Sequence, residues 1–261
     1  MKILYHPLML RKYDRTPAGD SGRLESAVEV LGRDPDLEFI EPRPATEEEV
    51  LLAHTKSLYE GVKQRSESSP DGLLFEMASL AAGGAIMAGE FAARGEPVFG
   101  LIRPPGHHAS RDSHWGFCYF NNIAVSLLNL RKKGEISSAF VLDFDLHLGD
   151  GNIDILGEDK AWTIYNPDGR GDKEYLADAR RVLDGASDVD IIVASAGFDQ
   201  YENDWGGNLS TDGFRKLGLL MFDFAEERCE GRRYGLLEGG YNFQDLGKNT
   251  LAFCEGLRGI E

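Results

Sequence analysis

The sequence predicts an α/β protein with a mostly parallel sheet and helices on both of its faces, and two observations lead to this prediction. Short apolar segments of strand length alternate with longer segments of helical periodicity along most of the 261 residues. Such alternation is typical of parallel strands joined by crossover helices. Polar residues and glycines also gather directly after several apolar segments, which is where open parallel sheets bind their ligands.

Each element has its own local signal. Strand-like segments are short, apolar and bounded by turn residues, and they lie at 2–5, 37–40, 98–102, 139–142, 162–165, 190–196 and 234–237. Segments of helical periodicity lie at 24–31, 46–54, 55–64, 73–93, 122–133, 174–183, 210–227 and 246–257. Thr46 followed by Glu49 is a capping-box signature, and Gly95 and Gly134 are placed to end two of the helices.

Length and composition narrow the class of protein. The length suits one domain, 1–261, with a substantial buried core. Lys and Arg total 28 and Asp and Glu total 44, so the net charge of -16 repels phosphate groups and predicts no direct binding to nucleic acid.

The cysteines and the apolar segments predict the compartment. The three cysteines, Cys118, Cys229 and Cys254, are far apart and form no C-x-x-C pair, so neither a disulfide framework nor a structural zinc knuckle is expected. No apolar stretch reaches the roughly 18 residues of a membrane span, and the N-terminal segment has no long apolar region typical of a secretory signal. We therefore expect a cytoplasmic protein without a membrane partner.

The segment 141–152, VLDFDLHLGDGN, carries the strongest chemical signal. In an extended strand Asp143, Asp145 and His147 would share one face. A single Asp or His at a strand end is more often a turn former or a hydrogen-bonded structural residue. Three ionisable groups on one face would repel and desolvate one another unless a positive charge compensated them, so the trio predicts the beginning of a metal site.

A third carboxylate completes a catalytic type of ligand set. Asp199 follows the strand 190–196 in the sequence SAGFD, and its side chain is expected at the same edge of the sheet as Asp145 and His147. Two carboxylates and one imidazole leave coordination positions open for water and substrate. A zinc ion held in this way would acidify a water molecule and polarise a carbonyl group, as amide hydrolysis requires.

Groups for proton transfer follow two other strands. His107 and His108 come after 98–102, and each would need a carboxylate partner, for which Asp143 and Asp150 remain. Tyr241, in the sequence EGGY, could donate its hydroxyl to a developing oxyanion. The alternatives are ordinary loop chemistry for the two histidines and a packing role for the tyrosine.

Three other residues of reactive type are assigned to structure. His54 has no glycine-rich turn or acidic neighbour beside it. His114 and Cys118 are likewise expected to pack.

Five motifs resemble those of the zinc-dependent histone deacetylase family, which includes acetylpolyamine amidohydrolases and acetoin-utilisation-type proteins. They occur in the family's order and span most of 101–242. The motifs are RPPGHHA at 103–109, GFCYFNN at 116–122, DFDLHLGDGN at 143–152, SAGFD at 195–199 and LEGGY at 237–241.

The resemblance implies a three-layer α/β/α fold of the arginase-deacetylase type and a role for each site residue. Asp145, His147 and Asp199 would hold one zinc ion per chain. His108, paired with Asp150, would be the general base and then the general acid. His107, paired with Asp143, would be its electrostatic companion. Tyr241 would donate a hydrogen bond to the oxyanion, and Phe117 with Gly116 would form a wall of the channel.

The substrate channel departs from the family pattern. The segment between His147 and Asp199 is shorter than in the family, and 166–173 replaces a longer loop that supplies the opposing aromatic wall. We therefore expect a wide or shallow channel.

The ion sites depart as well. Leu148 replaces a second histidine of the family, and the serine of a neighbouring potassium site is replaced near Tyr165, which argues against bound potassium without excluding it. Gly149 lies where the related binuclear manganese enzymes have a further aspartate, which favours a single metal.

The expected activity is a zinc-dependent amidohydrolase that removes an acetyl or similar acyl group from acetyl-lysine, an acetylpolyamine or a small acetylated metabolite. Two alternatives remain open: a metal-binding sensor or scaffold without catalysis, and a binuclear manganese ureohydrolase-like enzyme. Metal analysis combined with a turnover assay separates them. The sequence does not define the oligomeric state.

Overall fold

One sheet of seven parallel strands organises the protein, which we describe over residues 1–261 from a computed structural model. The strands lie in the order β2-β1-β3-β7-β6-β4-β5. All seven predicted strands are present, with bounds shifted by at most about two residues. They are β1 Lys2–Leu4, β2 Glu38–Ile40, β3 Val98–Gly100, β4 Ala139–Asp143, β5 Trp162–Tyr165, β6 Ile191–Ala196 and β7 Arg233–Leu237.

Helices cover both faces of the sheet and confirm the predicted three layers. The helices α1, α7, α8 and α9 pack in one layer, and α2, α3, α4 and α5 pack in the other; α4 and α8 both contact β7. Their bounds are α1 Glu25–Leu31, α2 Glu47–Val50, α3 Lys56–Ser66, α4 Leu74–Ala93, α5 Asn122–Lys133, α6 Asp150–Leu156, α7 Gly171–Gly185, α8 Thr211–Arg228 and α9 Leu246–Leu257.

Helix ends follow the sequence signals in most cases. Thr46 and Glu49 form the predicted capping box, but α2 ends at Val50 and does not continue towards His54. Gly134 ends α5 in the left-handed conformation, with φ of 72°. Helix α6 was not predicted, because its first residues, GDGN at 149–152, were interpreted as a turn.

The central strands are buried on both faces, and this confines polar chemistry to their ends. Every residue of β4 and β6 is buried. Burying each Val, Leu or Ile in such a strand stabilises the fold by about 1.5–3 kcal/mol relative to exposure. No helix has both the length and the apolar character that crossing a membrane requires.

Candidate active site

Four neighbouring strands, β3, β7, β6 and β4, bring the candidate residues together. Since all pairings among them are parallel, the loops that follow them meet at one edge of the sheet. These loops are 101–121, 238–245, 197–210 and 144–149. The predicted convergence of four strand ends is therefore present in the fold.

The predicted metal ligands lie together beside a cavity. One ligand-type atom from each of Asp145, His147 and Asp199 lies within 4.8 Å of the others. The His147 Nδ1 atom is 3.2 Å from Asp145 Oδ1 and 3.4 Å from Asp199 Oδ2. Both carboxylates are buried, and His147 is partly exposed.

The geometry that places these ligands differs from the predicted one. Strand β4 ends at Asp143, so Asp145 and His147 lie in the following loop and the argument that they share a strand face is wrong for them. Each aspartate accepts a hydrogen bond from the backbone two residues ahead: Asp143 Oδ1 from the N–H of Asp145 (3.3 Å), and Asp145 Oδ1 from that of His147 (2.9 Å). These side-chain to backbone bonds compete with the extended strand and curl the chain.

The chemistry of the trio fits a divalent cation. Asp199 Oδ2 is buried and has no hydrogen-bond partner. Burial, followed by the negative charge of Asp145, raises the pKa of Asp199 to about 6. A Cβ atom at Gly239 would lie 2.5 Å from Asp199 Oδ2 and 2.6 Å from Asp145 Oδ2, so only glycine permits this close approach of two carboxylates. A buried pair of this kind calls for a positive charge between its members.

His147 supplies that charge in the metal-free protein. Its hydrogen bond to Asp145 and its close approach to Asp199 raise its pKa to about 10, so the imidazole is protonated at neutral pH. Since a metal requires neutral imidazole, metal binding would release this proton.

The outer histidine, His108, is paired with a partly exposed carboxylate. Its Nδ1 atom lies 2.6 Å from Asp150 Oδ1. Burial, reinforced by the nearby positive charge of His107, lowers the pKa of His108 to about 4. His108 is therefore neutral at pH 7, with Nδ1 committed to Asp150 and Nε2 free to accept a proton.

Trp115, which the sequence reasoning missed, completes this outer pair. The indole N–H donates to Asp150 Oδ2 over 2.8 Å, and the indole ring centre lies 3.9 Å from the centre of the His108 ring. The dyad is therefore a set of three, His108–Asp150–Trp115. No motif signalled it, because a tryptophan before a glycine is usually a packing residue.

The inner histidine, His107, is surrounded by carboxylates. Its Nδ1 atom lies 3.3 Å from Asp143 Oδ2, and its Nε2 atom lies 3.6 Å from Asp145 Oδ1. Burial acts to lower the pKa of His107, but the charges of Asp145 and Asp143 outweigh it and hold that pKa well above 6.5. Asp143 is buried and also accepts a hydrogen bond from the Asn152 side chain over 3.1 Å.

Glu238 is a second residue that the sequence reasoning missed. Its Oε2 atom accepts hydrogen bonds from the backbone N–H groups of Gly106 (2.6 Å) and His107 (3.2 Å). Burial raises the pKa of Glu238 to about 7. The residue belongs to the EGGY motif, of which only the glycines and the tyrosine were interpreted. Its carboxyl group fixes the loop that carries the two histidines.

Tyr241 is held at the cavity by its backbone. The N–H groups of Tyr241 and Asn242 both donate to Asp204 Oδ2 over 2.6 Å, and the buried Arg23 donates to the carbonyl of Gly240 over 3.0 Å. Burial raises the pKa of Tyr241 well above 10, so its hydroxyl remains a hydrogen-bond donor.

The predicted channel residues lie between the outer histidine and the tyrosine. Phe117 meets Tyr241 edge to face, with ring centres 6.0 Å apart. Gly116 has φ of 58°, and a Cβ atom there would lie 2.2 Å from the His108 ring. Phe117 also has a positive φ, 68°, a conformation that is costly for a side-chain-bearing residue and is typically maintained at functional sites.

Several of the candidate site residues line a small cavity of about 130 Å³. Its lining includes His107, His108, Asp145, His147, Phe117 and Tyr241, and two tryptophans, Trp115 and Trp205. A second cavity of about 400 Å³ shares Asp145 and His147 with the first and is bounded by 166–170. The shortened loop thus borders an opening beside the candidate metal ligands.

The three residues that the sequence assigns to structure, His54, His114 and Cys118, do not line the cavity of about 130 Å³. His54 is buried; its Nδ1 lies 2.9 Å from the Ser110 carbonyl, and its Nε2 accepts from the Asn121 N–H over 2.8 Å. The three cysteines are buried and unpaired, and the His114 ring lies 5.0 Å from that of Tyr119.

The fold and the site together define a class: an α/β protein with a metal-type ligand set and two histidine–carboxylate pairs around a cavity at the carboxyl edge of its sheet. The chain belongs to the histone deacetylase family, because the histone deacetylase domain model matches residues 18–166 and 153–257. The resemblance inferred from the motifs is thereby confirmed.

Individual relatives agree with this membership. A probable deacetylase of Methanothermobacter thermautotrophicus is 30% identical over 291 residues, covering 93% of this chain and 86% of the relative. The polyamine deacetylase HDAC10 of Danio rerio is 28% identical over 275 residues, covering 83% of this chain but 40% of the relative.

Among solved structures, the crystal structure of the HDA15 HD domain superposes with a TM-score of 0.87 at 24% identity, covering 99% of this chain and 89% of that one. It confirms the fold. Taken with the family match, these similarities support a hydrolytic deacetylase.

Proposed function

We propose that the protein is a zinc-dependent amidohydrolase that removes an acetyl or similar short acyl group from an amine. The observation that carries this proposal is the cavity that His108 shares with Asp145 and His147, two members of the Asp145–His147–Asp199 trio. A neutral imidazole tethered to a carboxylate therefore lies beside a ligand set that fits a divalent cation.

Asp145, His147 and Asp199 would hold one zinc ion per chain. When bound, zinc supplies a Lewis acid that polarises the substrate carbonyl and acidifies a water molecule. Zinc itself is chosen on family grounds, since two carboxylates and an imidazole suit several divalent metals. We propose that the protein does not require potassium. Near Tyr165, where the sequence departs from the potassium site of the family, the side-chain amide of Asn166 donates to the Asp143 carbonyl over 3.0 Å.

The side chains of this protein perform the proton transfers. His108 accepts a proton from the attacking water at Nε2, because its Nδ1 is bonded to Asp150. The Tyr241 hydroxyl donates a hydrogen bond to the substrate carbonyl oxygen as negative charge develops on that oxygen. The C–N bond then breaks, His108 returns its proton to the leaving amine, and the products are a carboxylate and an amine. His107, protonated beside Asp143 and Asp145, contributes a fixed positive charge.

The size of the cavity supports a short acyl group. The volume of about 130 Å³ lies below the roughly 300–1,000 Å³ of pockets that enclose a drug-sized ligand. An acetamido group, with about four non-hydrogen atoms, suits a cavity smaller than those. Acetyl-lysine, acetylpolyamines and small acetylated metabolites all present this group, and the name of the Danio rerio relative supports the polyamine class among them.

We further propose that residues 1–261 act as one deacetylase-like catalytic domain, since one sheet and one hydrophobic core extend through them. The cytoplasmic location stays a prediction.

The test is alanine substitution of His108 in zinc-loaded protein. His108→Ala should lower kcat/KM on an acetylated amine by about 10²–10⁴-fold, because a general base contributes an acceleration of that size. Zinc content, measured by plasma mass spectrometry, should stay near one per chain, since His108 is not a ligand. Unchanged turnover would overturn the assignment. One zinc without turnover in the parent protein would indicate a sensor or scaffold, and two manganese ions would indicate a binuclear enzyme.

A further inference from the structure

The exposed apolar side chains of this protein are concentrated at the active site. Five large hydrophobic residues are exposed, and three of them, Trp115, Trp205 and Leu148, line the two cavities that share Asp145 and His147. A fourth, Ile153, lies on α6, the helix that begins with Asp150. Exposed apolar groups gathered in one place typically mark a binding surface.

Both tryptophans are fixed in place by catalytic groups. Trp115 packs on the His108 ring at 3.9 Å and is bonded to Asp150. Trp205 stacks on the Tyr241 ring at 4.1 Å and meets the His147 ring edge-on at 6.4 Å. Trp115 is 54% exposed and Trp205 is 52% exposed. Each indole therefore has one side held by a catalytic group and a large area left for a ligand, with little mobility to lose on binding.

The position of the indoles relative to the cavity assigns them to the amine side of the substrate. The cavity of about 130 Å³ is small for a whole acylated amine. We expect the part of a larger substrate that does not fit inside to extend through the mouth of the cavity, where its lining is exposed. Trp115 and Trp205, which line the cavity and are also exposed, are at that mouth.

The charges around the mouth favour a cation. No Lys or Arg side chain lines this cavity, and the positive charge of His107 in its lining is buried between Asp143 and Asp145. Asp150, which bonds Trp115, has a side chain that is 44% exposed, and the protein as a whole carries a net charge of -16. In the adjoining cavity the positive charge of Arg170 is accompanied by the negative charge of Asp168. Indole faces attract ammonium groups within about 6 Å, and a negative field strengthens this preference.

We propose that Trp115 and Trp205 form an aromatic clamp that binds a positively charged group on the amine side of the substrate, so that the enzyme prefers acylated amines with a second, cationic nitrogen. The inference rests on the proposed function and deepens it, because it names two residues that select the substrate class.

Two compounds of the same length test the clamp. N-acetylputrescine ends in an ammonium group where N-pentylacetamide ends in a methyl group, and the scissile amide is identical. The parent protein should show a kcat/KM ratio of about 5–30 in favour of the cationic compound, the range expected for a partly desolvated cation on one or two indoles. Since both compounds undergo the same bond cleavage, the ratio is insensitive to changes in the chemical step.

Substitutions test whether the two tryptophans cause the preference for the cationic compound. Trp205→Leu and Trp115→Leu should each lower the ratio several-fold, while Trp205→Phe should retain part of it because a smaller aromatic face remains. The matched control is Ile260→Ala, which removes an exposed apolar side chain near the C-terminal end of the chain and should leave the ratio unchanged. A ratio that stays at the parental value in both leucine variants would overturn the clamp.

A binding measurement separates this inference from the proposed function. Isothermal titration calorimetry of the two compounds needs no turnover. Hydrolysis of both compounds with equal kcat/KM would overturn the clamp and leave the hydrolase standing. Tighter binding of the cationic compound without any hydrolysis, lost in the leucine variants, would support the clamp and overturn the proposed function. Equal affinities would overturn the clamp.

Discussion

Two histidine–aspartate pairs stand side by side in this site and differ in their surroundings. The inner pair, His107–Asp143, is buried, and a second carboxylate, Asp145, lies 3.6 Å from the imidazole. The outer pair, His108–Asp150, has a partly exposed aspartate and no second carboxylate within ion-pair distance. The pKa of the inner histidine is raised, and that of the outer one is lowered to about 4.

His54 shows which factor decides between these outcomes. It is buried with no carboxylate in contact, and burial lowers its pKa to about 4. His107 is buried to a similar extent, yet its pKa moves in the opposite direction because two negative charges surround it. Burial favours the neutral imidazole in all three histidines, and the number of nearby carboxylates decides whether that effect is outweighed in the metal-free protein. Adjacent histidines can therefore take the different roles of fixed cation and proton acceptor.

The largest expected difference between the pairs is in stability. Asp143→Ala should lower the free energy of unfolding by about 3–5 kcal/mol, because it leaves a buried imidazolium with half of its compensation. Asp150→Ala should cost less than about 1 kcal/mol, as expected for a partly exposed pair. Urea denaturation of metal-free protein measures both, with the exposed Asp188→Ala as a control carboxylate. Equal losses for Asp143→Ala and Asp150→Ala would remove the distinction between the pairs.

His54 allows the burial effect to be measured alone. Because its folded pKa, about 4, is lower than its unfolded value of 6.5, the unfolded protein binds more protons between these pH values. Its contribution is therefore complete above pH 6.5 and is lost as the pH falls towards 4, by about 3 kcal/mol.

His54→Gln removes this titration. The variant should be less stable than the parent at pH 7, and the difference should shrink by about 3 kcal/mol at pH 4. Denaturant unfolding at several pH values measures the difference. Parallel stability curves for the two proteins would contradict a depressed pKa at His54.

The smallest expected effect concerns the third member of the outer set. Trp115→Phe keeps a ring on His108 but removes the N–H donor to Asp150. One lost hydrogen bond to a partly exposed carboxylate should lower kcat on N-pentylacetamide by about 3–10-fold, without a change in KM or in unfolding free energy. A loss confined to KM would instead give Trp115 a role in binding alone.

The sequence predicted the fold closely because its signals are local and periodic. The alternation of apolar strand-like segments with helical segments along 2–257 predicted the seven strands and eight of the nine helices in the correct order. The glycine-rich strand ends predicted where the candidate site residues meet. The path of Asp145 and His147 was not predictable from periodicity, because side-chain to backbone hydrogen bonds override the strand beyond Asp143.

Contacts between loops that are distant in the sequence could not be predicted from it either. Trp115 meets Asp150 from another loop, and Trp205 meets Tyr241 from another strand end. Neither tryptophan lies in a motif that specifies chemistry, so only the folded arrangement shows its neighbours. Glu238 was visible in the EGGY motif, but its partners, the N–H groups of Gly106 and His107, belong to a loop more than 100 residues away in the chain.

The carboxylates of this site also hold its loops to one another. Asp145 accepts the N–H of Gly239, Asp199 accepts that of Leu146, and Glu238 accepts that of Gly106. Each bond joins the loop after one strand to the loop after another. Mutation of any one of these acids would therefore loosen the shape of the pocket, and mutation of Asp145 or Asp199 would also remove a proposed metal ligand. Under the proposed mechanism, catalysis is lost with a preserved pocket more readily through His108 than through the acids, so a catalytically silent descendant of this protein should retain its aspartates.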